Sequence, residues 1–581
     1  MRKIQRRKSK SIWSRSTRAK TANKPQLLHR YLGLECEFFC RHPKDAKKDS
    51  QGEFSSLLRA IQGRLPIAPS SNPLRWFLAN GSSLSLEMGG SADLSTALIE
   101  AATPETFSPR QVVCYQLANE RILQAALEAN RPVDQWSLIK SNSDAFGHTL
   151  GQHESYDMRI ASGPWLIAWW LGLAFLFLPL VIYRMFALVW LGCMLALAIV
   201  LSAFRGTSWK PESTPSGIGD LANSEQLLGF PMKPWQWMLA ASGLRRLHSP
   251  IVWIFGWLLI GIALRPHRKK ATAFLACRSI LDGSGHLDSE SRFWISSRAS
   301  NVDRVIGFGS YDRKRPIFRC DPLLRKLLSE PYWSFAQYAQ LFQPIQRIEI
   351  AIGDSGLCQQ SQWLRIGATA LVLDWVEQTD DPNVIQLRSV PEATREFARD
   401  WMLVRSVPDR MGNEFRAREI SRVYLRSLKS WLDKRPDAPS EAWKILELWQ
   451  MTLNQIDTIP KNQGQPPMLL VGRIDWISKL WLIQQLDKNT DWSIKKKIDI
   501  RYHELSDQGY HAQLIDVLQL PPLLSDREIE KAKRVPPSNS PAWRRGNLIR
   551  ELSDSPTDLV IDWESARYRL DQKNYRLRFP R

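Results

Sequence analysis

The sequence predicts an α+β fold that is interrupted by a membrane insert. Segments with the two-residue alternation of strands are mixed with segments of helical periodicity, without the regular strand–helix–strand order of a doubly wound sheet. Residues 161–269 form a separate region, because they contain long apolar runs without a charged residue. A chain of 581 residues is long enough for roughly two to four domains.

The composition excludes several classes of protein. Hydrophobic residues make up 44% and charged residues 24%, unlike a disordered, collagen-like or small disulfide-rich chain. The net charge of +21 favours an acidic partner such as anionic lipid or nucleotide phosphate, and no recognised motif points to nucleic acid. The chain contains 25 tryptophans, and tryptophan is enriched at membrane interfaces. Seven scattered cysteines without a CxxC pair argue against a disulfide framework or a zinc site and fit a reducing compartment.

The chain begins with a basic segment over residues 1–30, which is predicted to be a disordered tail. Residues 1–24 contain many lysines and arginines and no acidic residue, and no apolar core follows that would make a secretory signal. The tail is either solvated or held on an anionic leaflet, at roughly 1 kcal/mol per basic residue near the surface.

A strand is predicted over residues 31–39, where Glu35 and Glu37 interrupt an apolar run. Because side chains alternate along a strand, both carboxylates lie on one face. Two like charges on a half-buried face cost free energy unless a cation offsets them, and Mg²⁺ binds both carboxylate and phosphate oxygens. Two exposed glutamates on an edge strand are the alternative interpretation.

The insert contains two charge-free runs, 165–183 and 185–204, separated by Arg184. One straight helix through both would be roughly 60 Å long, twice the thickness of a bilayer core. The sequence therefore predicts a hairpin of two spans that turns near residues 179–184. A buried apolar hairpin in a soluble protein is the alternative. A third run, 251–264, is short for a span and is followed by a basic cluster over 265–270.

The remaining elements are assigned from periodicity, and no internal repeat is visible. Residues 347–352 alternate as a strand, and residues 361–376 are predicted to be a buried helix. Further helices are predicted over 111–130, 414–432 and 442–455 and from residue 528 onwards.

Ordered motifs along the chain resemble the Pup ligase and depupylase family, relatives of glutamine synthetase and of the carboxylate–amine ligases. Before the insert, YLGLECEFF, NGSSLSLEMGG, IEAATPE and KSNSDAFGHTLGQHESY are similar to family motifs. After it, the similarity resumes in FLACRSILDGSG, FWISSRA, IEIAIGDSG, RIDWISKLWLI and VPPSNSPAWRRG. The resemblance covers residues 31–570 except roughly 161–269.

The resemblance implies a glutamine synthetase-like curved antiparallel sheet that cradles ATP and Mg²⁺. The catalytic-type domain would comprise residues 31–160 and 270–490, followed by a small C-terminal domain over 491–581. The metal or phosphate ligands carried over from the family are Glu35, Glu37, Glu100 and Glu154. The other nucleotide-side residues carried over are His153, Asp354, Arg278, Arg298 and Arg315. The position of the family's catalytic aspartate holds Glu87, which is one methylene longer.

The family's ligases phosphorylate the C-terminal glutamate of a small ubiquitin-like tag, which a lysine of a target protein then attacks. Its depupylases hydrolyse that isopeptide bond or deamidate the tag. The resemblance implies one of these activities and leaves the choice open. Besides Glu87, the departures are Glu349, Gly356, Cys358 and the loop 315–323. They leave two alternatives: an inactive homologue that binds nucleotide or tag, and a carboxylate–amine ligase with another substrate.

If residues 31–160 and 270–581 build one site, they lie on the same side of a membrane, and the insert has an even number of spans. The expectation is a multi-pass membrane protein with its catalytic-type domain in the cytoplasm and the third run in the interface or on the domain. The rival arrangement makes one span from 165–204 and the other from 251–264.

Overall fold

The computed structural model describes most of the chain. It covers residues 27–41, 50–87, 98–130, 137–143, 150–204, 249–309, 311–312, 314–328, 335–379, 384–553, 558–570 and 572–579. The predicted basic tail lies outside these ranges except for residues 27–30, and so does the segment 205–248 of the insert.

A large sheet forms the centre of the molecule. Its strands are β1 (Leu32–Arg41), β2 (Ile67–Pro69), β3 (Arg75–Leu78), β4 (Ser83–Glu87), β5 (Leu98–Ala102), β6 (Ser137–Ile139), β7 (Gln152–Arg159), β10 (Arg304–Gly307), β11 (Pro316–Arg319) and β12 (Ile345–Gly353). They follow the order β10-β11-β12-β7-β1-β5-β4-β3-β2, with β6 also on β1. Only the β10–β11 pair within this sheet is parallel. A mixed fold with a large, mainly antiparallel sheet is thereby confirmed.

Smaller sheets lie outside the main one. They comprise β8 (His286–Leu287) with β9 (Phe293–Trp294), β13 (Ser406–Pro408) with β14 (Glu414–Arg416), and β15 (Val560–Ile561), β16 (Ser565–Leu570) and β17 (Lys573–Arg578). The last three pack against the edge of the main sheet, where Phe77 of β3 shares an apolar cluster with Ile561 and Phe579. The boundary predicted at residue 491 remains a prediction.

Helices cover one side of the main sheet and extend away from it. They are α1 (Ser50–Gln62), α2 (Pro109–Asn130), α3 (Pro164–Phe204), α4 (Ser249–Ala263), α5 (Arg265–Lys270), α6 (Thr272–Cys277), α7 (Ser279–Asp282), α8 (Asp321–Leu328), α9 (Phe335–Gln340), α10 (Gln359–Gln378), α11 (Val390–Arg399), α12 (Ala417–Leu432), α13 (Ser440–Ile456), α14 (Asp475–Gln484), α15 (Trp492–Arg501), α16 (Tyr510–Leu518), α17 (Asp526–Arg534) and α18 (Pro541–Leu552).

The predicted strand at 347–352 and the helices at 111–130, 361–376 and 442–455 are confirmed. The helix α10 is buried without interruption from Ser361 to Val376. The predicted start of a helix at Glu414 is wrong, because residues 414–416 pair with β13 and the helix begins at Ala417.

The apolar insert does not form the predicted hairpin of spans at 165–183 and 185–204. Residues Pro164–Phe204 form one helix of 41 residues that contains Pro179. The segment between Pro179 and Arg184 contains no glycine, asparagine, aspartate or serine that would favour a turn, so the helix continues. Among the described helices, one is long and apolar enough to cross a membrane, over Pro164–Met194, and this is weak evidence for a span.

The first half of α3 is docked on the domain. Trp169, Leu173, Leu176 and Leu180 recur at helical spacing and are buried. The indole Nε1 of Trp169 donates to the carbonyl of Leu341 at 2.9 Å, and the Tyr338 hydroxyl donates to the carbonyl of Leu173 at 2.6 Å. The third apolar run forms α4, which packs beside α3 through contact of Phe255 with Trp169.

Candidate active site

The register of five adjacent strands, β12-β7-β1-β5-β4, gathers glutamates on one face of the main sheet. Glu37 of β1 lies opposite Glu100 of β5, and residues opposite each other in antiparallel strands point to the same side. Glu87 of β4 and Glu349 of β12 share that side through the pairs β4–β5 and β12–β7. Glu35, Glu37, Glu87, Glu100 and Glu349 are called the carboxylate face below.

The electrostatics of the carboxylate face favour a bound cation. Burial raises the pKa of Glu100 well above its usual value, and repulsion from Glu35 and Glu87 adds to the shift. Burial also raises the pKa of Glu37. Glu87 is exposed at the end of its strand, but the surrounding protein and the charge of Glu37 raise its pKa too. These residues fit Mg²⁺, which needs one or two carboxylates and completes its shell with water and phosphate oxygens.

Arginines border the face from β11 and β12. Arg347 donates to Glu35 and to the Ser155 hydroxyl, the latter at 3.0 Å, and its guanidinium lies 3.3 Å from Glu349. Burial alone would raise the pKa of Glu35, but the ion pair with Arg347 lowers it. Arg319 lies 3.6 Å from Glu349, so two guanidinium groups, those of Arg319 and Arg347, lie beside this carboxylate.

His153 joins the carboxylate face, because it lies opposite Glu35. Its Nε2 accepts hydrogen bonds from Arg298 at 2.9 Å and from Arg319 at 3.1 Å. Burial and these two guanidinium groups hold the pKa of His153 well below its usual value. The imidazole is therefore neutral and orients two arginines that can face phosphate oxygens.

The structure does not bring Glu154 and Arg278 to this face. Glu154 lies opposite Leu34, so its side chain points to the helix-covered side. There Arg278 donates to both of its carboxylate oxygens, at 2.7 and 3.0 Å, and both residues are almost completely buried. Two residues predicted to hold metal and phosphate instead neutralise each other inside the core.

Asp354 and Arg315 lie at the margin of the site. The buried carboxylate of Asp354 accepts from the backbone N–H of Ser284 at 3.0 Å and from that of Arg298 at 3.2 Å. Asp354 therefore positions the segment that carries Arg298. The side chain of Arg315 is exposed where β11 begins.

Gly356 and Cys358, two of the departures, both lie against Asp475. A Cβ at Gly356 would lie 2.6 Å from a carboxylate oxygen of Asp475, so a side chain there would require Asp475 to shift. In the part of the chain that the structure describes, the only three potential metal-ligand atoms within 4.8 Å of one another belong to Cys358, Asp475 and His511. Asp475 already accepts from the backbone N–H of Leu357 and Cys358, at 2.8 and 3.1 Å, and holds this turn together.

Sequence reasoning missed Arg319 and Arg347. Arg347 could have been found, because it precedes Glu349 by two residues on a predicted strand and so shares its face. No local pattern marks Arg319. It lies in the segment 315–323, which was predicted to be a loop that departs from the family but contains β11 and the start of α8. A cleft beside Glu35 and Arg347 is closed on one side by Trp563, which comes from the C-terminal region.

Glu349 is expected to make folding stability depend on pH. Burial and the charge of Glu35 raise its pKa from 4.5 to about 7, so the fold favours the protonated acid. Its stabilising contribution is full below pH 4.5 and is lost as the pH rises through about 7. In metal-free buffer, the free energy of unfolding of Glu349→Gln, taken relative to that of the wild type, should rise by roughly 1–3 kcal/mol from acidic to alkaline pH. Thermal unfolding at both ends of this range measures the gain, and Glu392→Gln serves as the control for replacing an exposed glutamate. A constant difference between Glu349→Gln and the wild type would contradict the assignment.

Comparison with known proteins supports the resemblance. A Pup–protein ligase of Acidimicrobium ferrooxidans is 26% identical over 298 residues, which is 50% of this chain and 61% of that ligase. A Pup–protein ligase of Corynebacterium diphtheriae is 26% identical over 314 residues, covering 52% of this chain and 61% of its own. The chain thus spans about 61% of the length of these relatives.

Solved structures share the fold. A complex between the prokaryotic ubiquitin-like protein Pup and its ligase PafA matches with a TM-score of 0.62 and 19% identity, over 95% of this chain and 89% of that one. A Pup ligase PafA in complex with ADP matches with a TM-score of 0.57 and 17% identity, over 98% of this chain and 95% of that one. The family model described as Pup-ligase protein matches residues 12–567, and this chain therefore belongs to the Pup ligase family.

Proposed function

We propose that this chain ligates the C-terminal glutamate of Pup to a lysine of a target protein, using ATP and Mg²⁺. The observation that carries the proposal is the carboxylate face bordered by arginines, in a chain of the Pup ligase family. One matched solved ligase is a complex with ADP, and another is a complex with Pup. Both support the proposal that this chain binds a nucleotide and the tag.

Each group of the site has a role in this reaction. Glu37 and Glu100, which lie opposite each other, would hold Mg²⁺, with Glu35 beside them, and the ion would supply charge neutralisation for the phosphates of ATP. Arg298, Arg319 and Arg347 would balance the charge of the transferring phosphoryl group. Transfer to the tag's carboxylate gives an acyl phosphate and ADP. The lysine amine then attacks the acyl carbon and phosphate leaves.

Glu87 would take the proton that the attacking amine loses. Its raised pKa suits a general base better than an unperturbed carboxylate, because a base works best with a pKa close to the working pH. Its extra methylene relative to the family's aspartate displaces the carboxylate, and a misplacement of roughly 1 Å can cost a hundredfold in rate.

The decisive experiment incubates the purified chain with Mg-ATP, a lysine-bearing protein and Pup ending in glutamate. Formation of ADP together with a target heavier by one tag supports ligation. Release of tag from a preformed conjugate, without ligation, would instead identify a depupylase. If ATP binds measurably and neither reaction occurs, two alternatives remain: the inactive binding homologue and a carboxylate–amine ligase with another substrate.

The second half of α3 supports attachment to a membrane. Residues 185–204 contain no charge, and Met185, Phe186, Leu188, Val189 and Trp190 are exposed around more than half of the helix circumference. An interfacial helix needs a polar face, whereas a helix that is apolar on all sides belongs in lipid or in a protein core. We infer that this half enters the bilayer, with the catalytic-type domain in the cytoplasm.

Charges introduced into this half should release the chain from membranes. Phe186→Glu combined with Val189→Glu is expected to move the protein from the membrane fraction to the supernatant, since each charge costs about 2.5–3.5 kcal/mol inside a bilayer. The control is Met411→Glu with Val517→Glu, which changes two exposed apolar residues outside α3. Equal fractionation of the two double variants would contradict insertion.

A labelling experiment separates two arrangements of the insert. The insert leaves the domain after the docked half of α3, which ends near Tyr183, and returns to it with α4. If α3 crosses completely, the segment 205–248 has to cross back, and Glu225→Cys becomes reactive to an impermeant maleimide outside intact cells. If α3 ends within the bilayer, that cysteine reacts only after the cells are opened.

A further inference from the structure

A second cluster of polar side chains lies outside the carboxylate face, at the beginning of α10. The potential ligand atoms of Cys358, Asp475 and His511 lie within 4.8 Å of one another, and these three residues are called the Cys358 cluster below. Cys358 directly precedes α10, Asp475 begins α14 and His511 lies in the first turn of α16. Because its members are far apart in sequence, the cluster has none of the close cysteine spacing by which zinc sites are recognised.

The geometry of the Cys358 cluster fits a tetrahedral ion. The Sγ of Cys358 lies 3.7 Å from the Nε2 of His511. Zinc bonds of about 2.3 Å to sulfur and about 2.0–2.1 Å to nitrogen, at a tetrahedral angle, place these two atoms about 3.6 Å apart. The two ligand atoms therefore already have the separation that the ion requires. Cys358 and Asp475 are buried, whereas His511 is half-buried, which leaves the ion a route from solvent.

One carboxylate oxygen of Asp475 has capacity for an ion, although the residue also holds the turn before α10. The Oδ1 atom is the closer acceptor for the backbone N–H groups of Leu357 and Cys358. The Oδ2 atom lies 3.1 Å from the Ser361 hydroxyl, whose single proton also has the carbonyl of Cys358 within 3.1 Å. Since each carboxylate oxygen has two lone pairs, Oδ2 can bind a metal ion without breaking the bonds that Oδ1 accepts.

Gln362 offers a fourth ligand. It follows Cys358 by one helical turn, and its backbone N–H donates to the Cys358 carbonyl at 3.2 Å. Its side chain is buried, and neither Oε1 nor Nε2 has a hydrogen-bond partner among the described residues. It borders the same space as Asp475, because a Cβ built at Gly356 would lie 3.8 Å from the Cγ of Gln362 and 2.6 Å from an oxygen of Asp475. A buried amide without partners costs free energy, which a bond from Oε1 to an ion would offset.

We propose that the Cys358 cluster binds one zinc ion, with the Oε1 of Gln362 as the fourth ligand. Sulfur and imidazole nitrogen favour zinc over Mg²⁺ and Ca²⁺, which prefer oxygen ligands. Binding releases the thiol proton to solvent, and the thiolate and the Asp475 carboxylate then balance both charges of the ion, so the buried site is neutral.

The ion joins three segments that are distant in sequence, since it ties the beginning of α10 to α14 and α16. It thereby fixes the turn between β12, which carries Glu349 of the carboxylate face, and α10. Cys358 is one of the departures from the family, so the site is a feature of this chain. The proposal does not depend on the ligase function.

Metal binding by the full chain tests the proposal without ATP or tag. The purified chain should contain one zinc ion, measured by mass spectrometry of the metal. Cobalt added to the metal-free chain as a probe should give thiolate-to-cobalt charge-transfer absorption. Cys358→Ser should abolish this absorption and lower zinc affinity by about a hundredfold or more, because loss of an outer-shell partner alone costs roughly 10–100-fold. Gln362→Leu should lower zinc affinity by about tenfold or more.

The matched control is Cys114→Ser, which removes another buried cysteine, in α2, and should bind zinc like the wild type. His511→Gln is a second test variant, because its half-buried position makes a folding defect less of a concern. Zinc should raise the Tm of the wild type and of Cys114→Ser, but not that of Cys358→Ser or His511→Gln.

Two results would overturn the zinc site. One is equal zinc affinity in the wild type and Cys358→Ser, which would place the ion elsewhere, for example at the carboxylate face. The other is cobalt binding without charge-transfer absorption, which would exclude a thiolate ligand. Unchanged affinity in Gln362→Leu would contradict the assignment of the fourth ligand.

Discussion

Replacing Glu87 by alanine is expected to lower the rate of tag ligation by about a hundredfold to ten thousandfold while leaving ATP affinity unchanged. The alanine variant loses the carboxylate that would accept the amine proton, but it keeps Glu37 and Glu100, the proposed metal ligands, and Glu35 beside them. Glu87 is the last residue of β4 and is exposed, so its removal leaves the core intact. Initial rates of conjugate formation and calorimetry with Mg-ATP measure the two quantities.

Glu87→Asp is the matched variant for this experiment, because it keeps the charge and restores the residue of the family. Its rate should equal or exceed that of the wild type. A Glu87→Ala variant as active as the wild type would show that another group takes the proton. A wild type that is inactive and an aspartate variant that is also inactive would favour a binding homologue without catalysis.

Replacing Arg278 by methionine is expected to destabilise the fold by about 3–5 kcal/mol. The change leaves the Glu154 carboxylate completely buried, with the Tyr156 hydroxyl at 2.7 Å and Arg365 at 3.4 Å as its remaining partners. Removing one member of a buried ion pair costs more than the pair contributes, because the other charge stays desolvated. Thermal and denaturant unfolding measure the loss.

The double variant Arg278→Met with Glu154→Leu should recover much of that stability, since it removes both charges. Arg292→Met serves as a control, because this exposed arginine pairs only at the surface and its loss should cost less than about 1 kcal/mol. If Arg278→Met is as stable as the wild type and gains stability from added Mg²⁺, Glu154 is a metal ligand as the family resemblance implies, and the buried-pair assignment is wrong.

The alternation of side chains along a strand explains why the sequence could predict that Glu35 and Glu37 share a face. The same alternation argues against placing both His153 and Glu154 at the site. Glu35 and Glu37 share a face because they are two residues apart, and the structure places them so. His153 and Glu154 are adjacent in a strand, so they cannot both face the same ligand. Family motifs carried over both residues, whereas the two-residue period separates them.

Other features depend on contacts between distant segments, which periodicity does not encode. Arg319 reaches His153 only because β11 and β7 both flank β12 in the sheet order. The hairpin expectation for α3 came from bilayer thickness alone. A length argument does not consider that the domain supports half of this helix, nor that the segment 179–184 lacks a residue that favours a turn.

If this chain is a membrane-attached ligase, as proposed, the docked half of α3 has a consequence for which proteins it would modify. A domain joined to a membrane by a flexible linker would sweep a wide volume, whereas the hydrogen bonds of Trp169 and Tyr338 fix this domain to α3. With the distal half in the bilayer, the site would be held at a fixed height and tilt. Lysines at that height on neighbouring membrane proteins would then meet the site by two-dimensional diffusion, at a high effective concentration. Lysines far from the membrane surface would not reach the site, whatever the sequence around them.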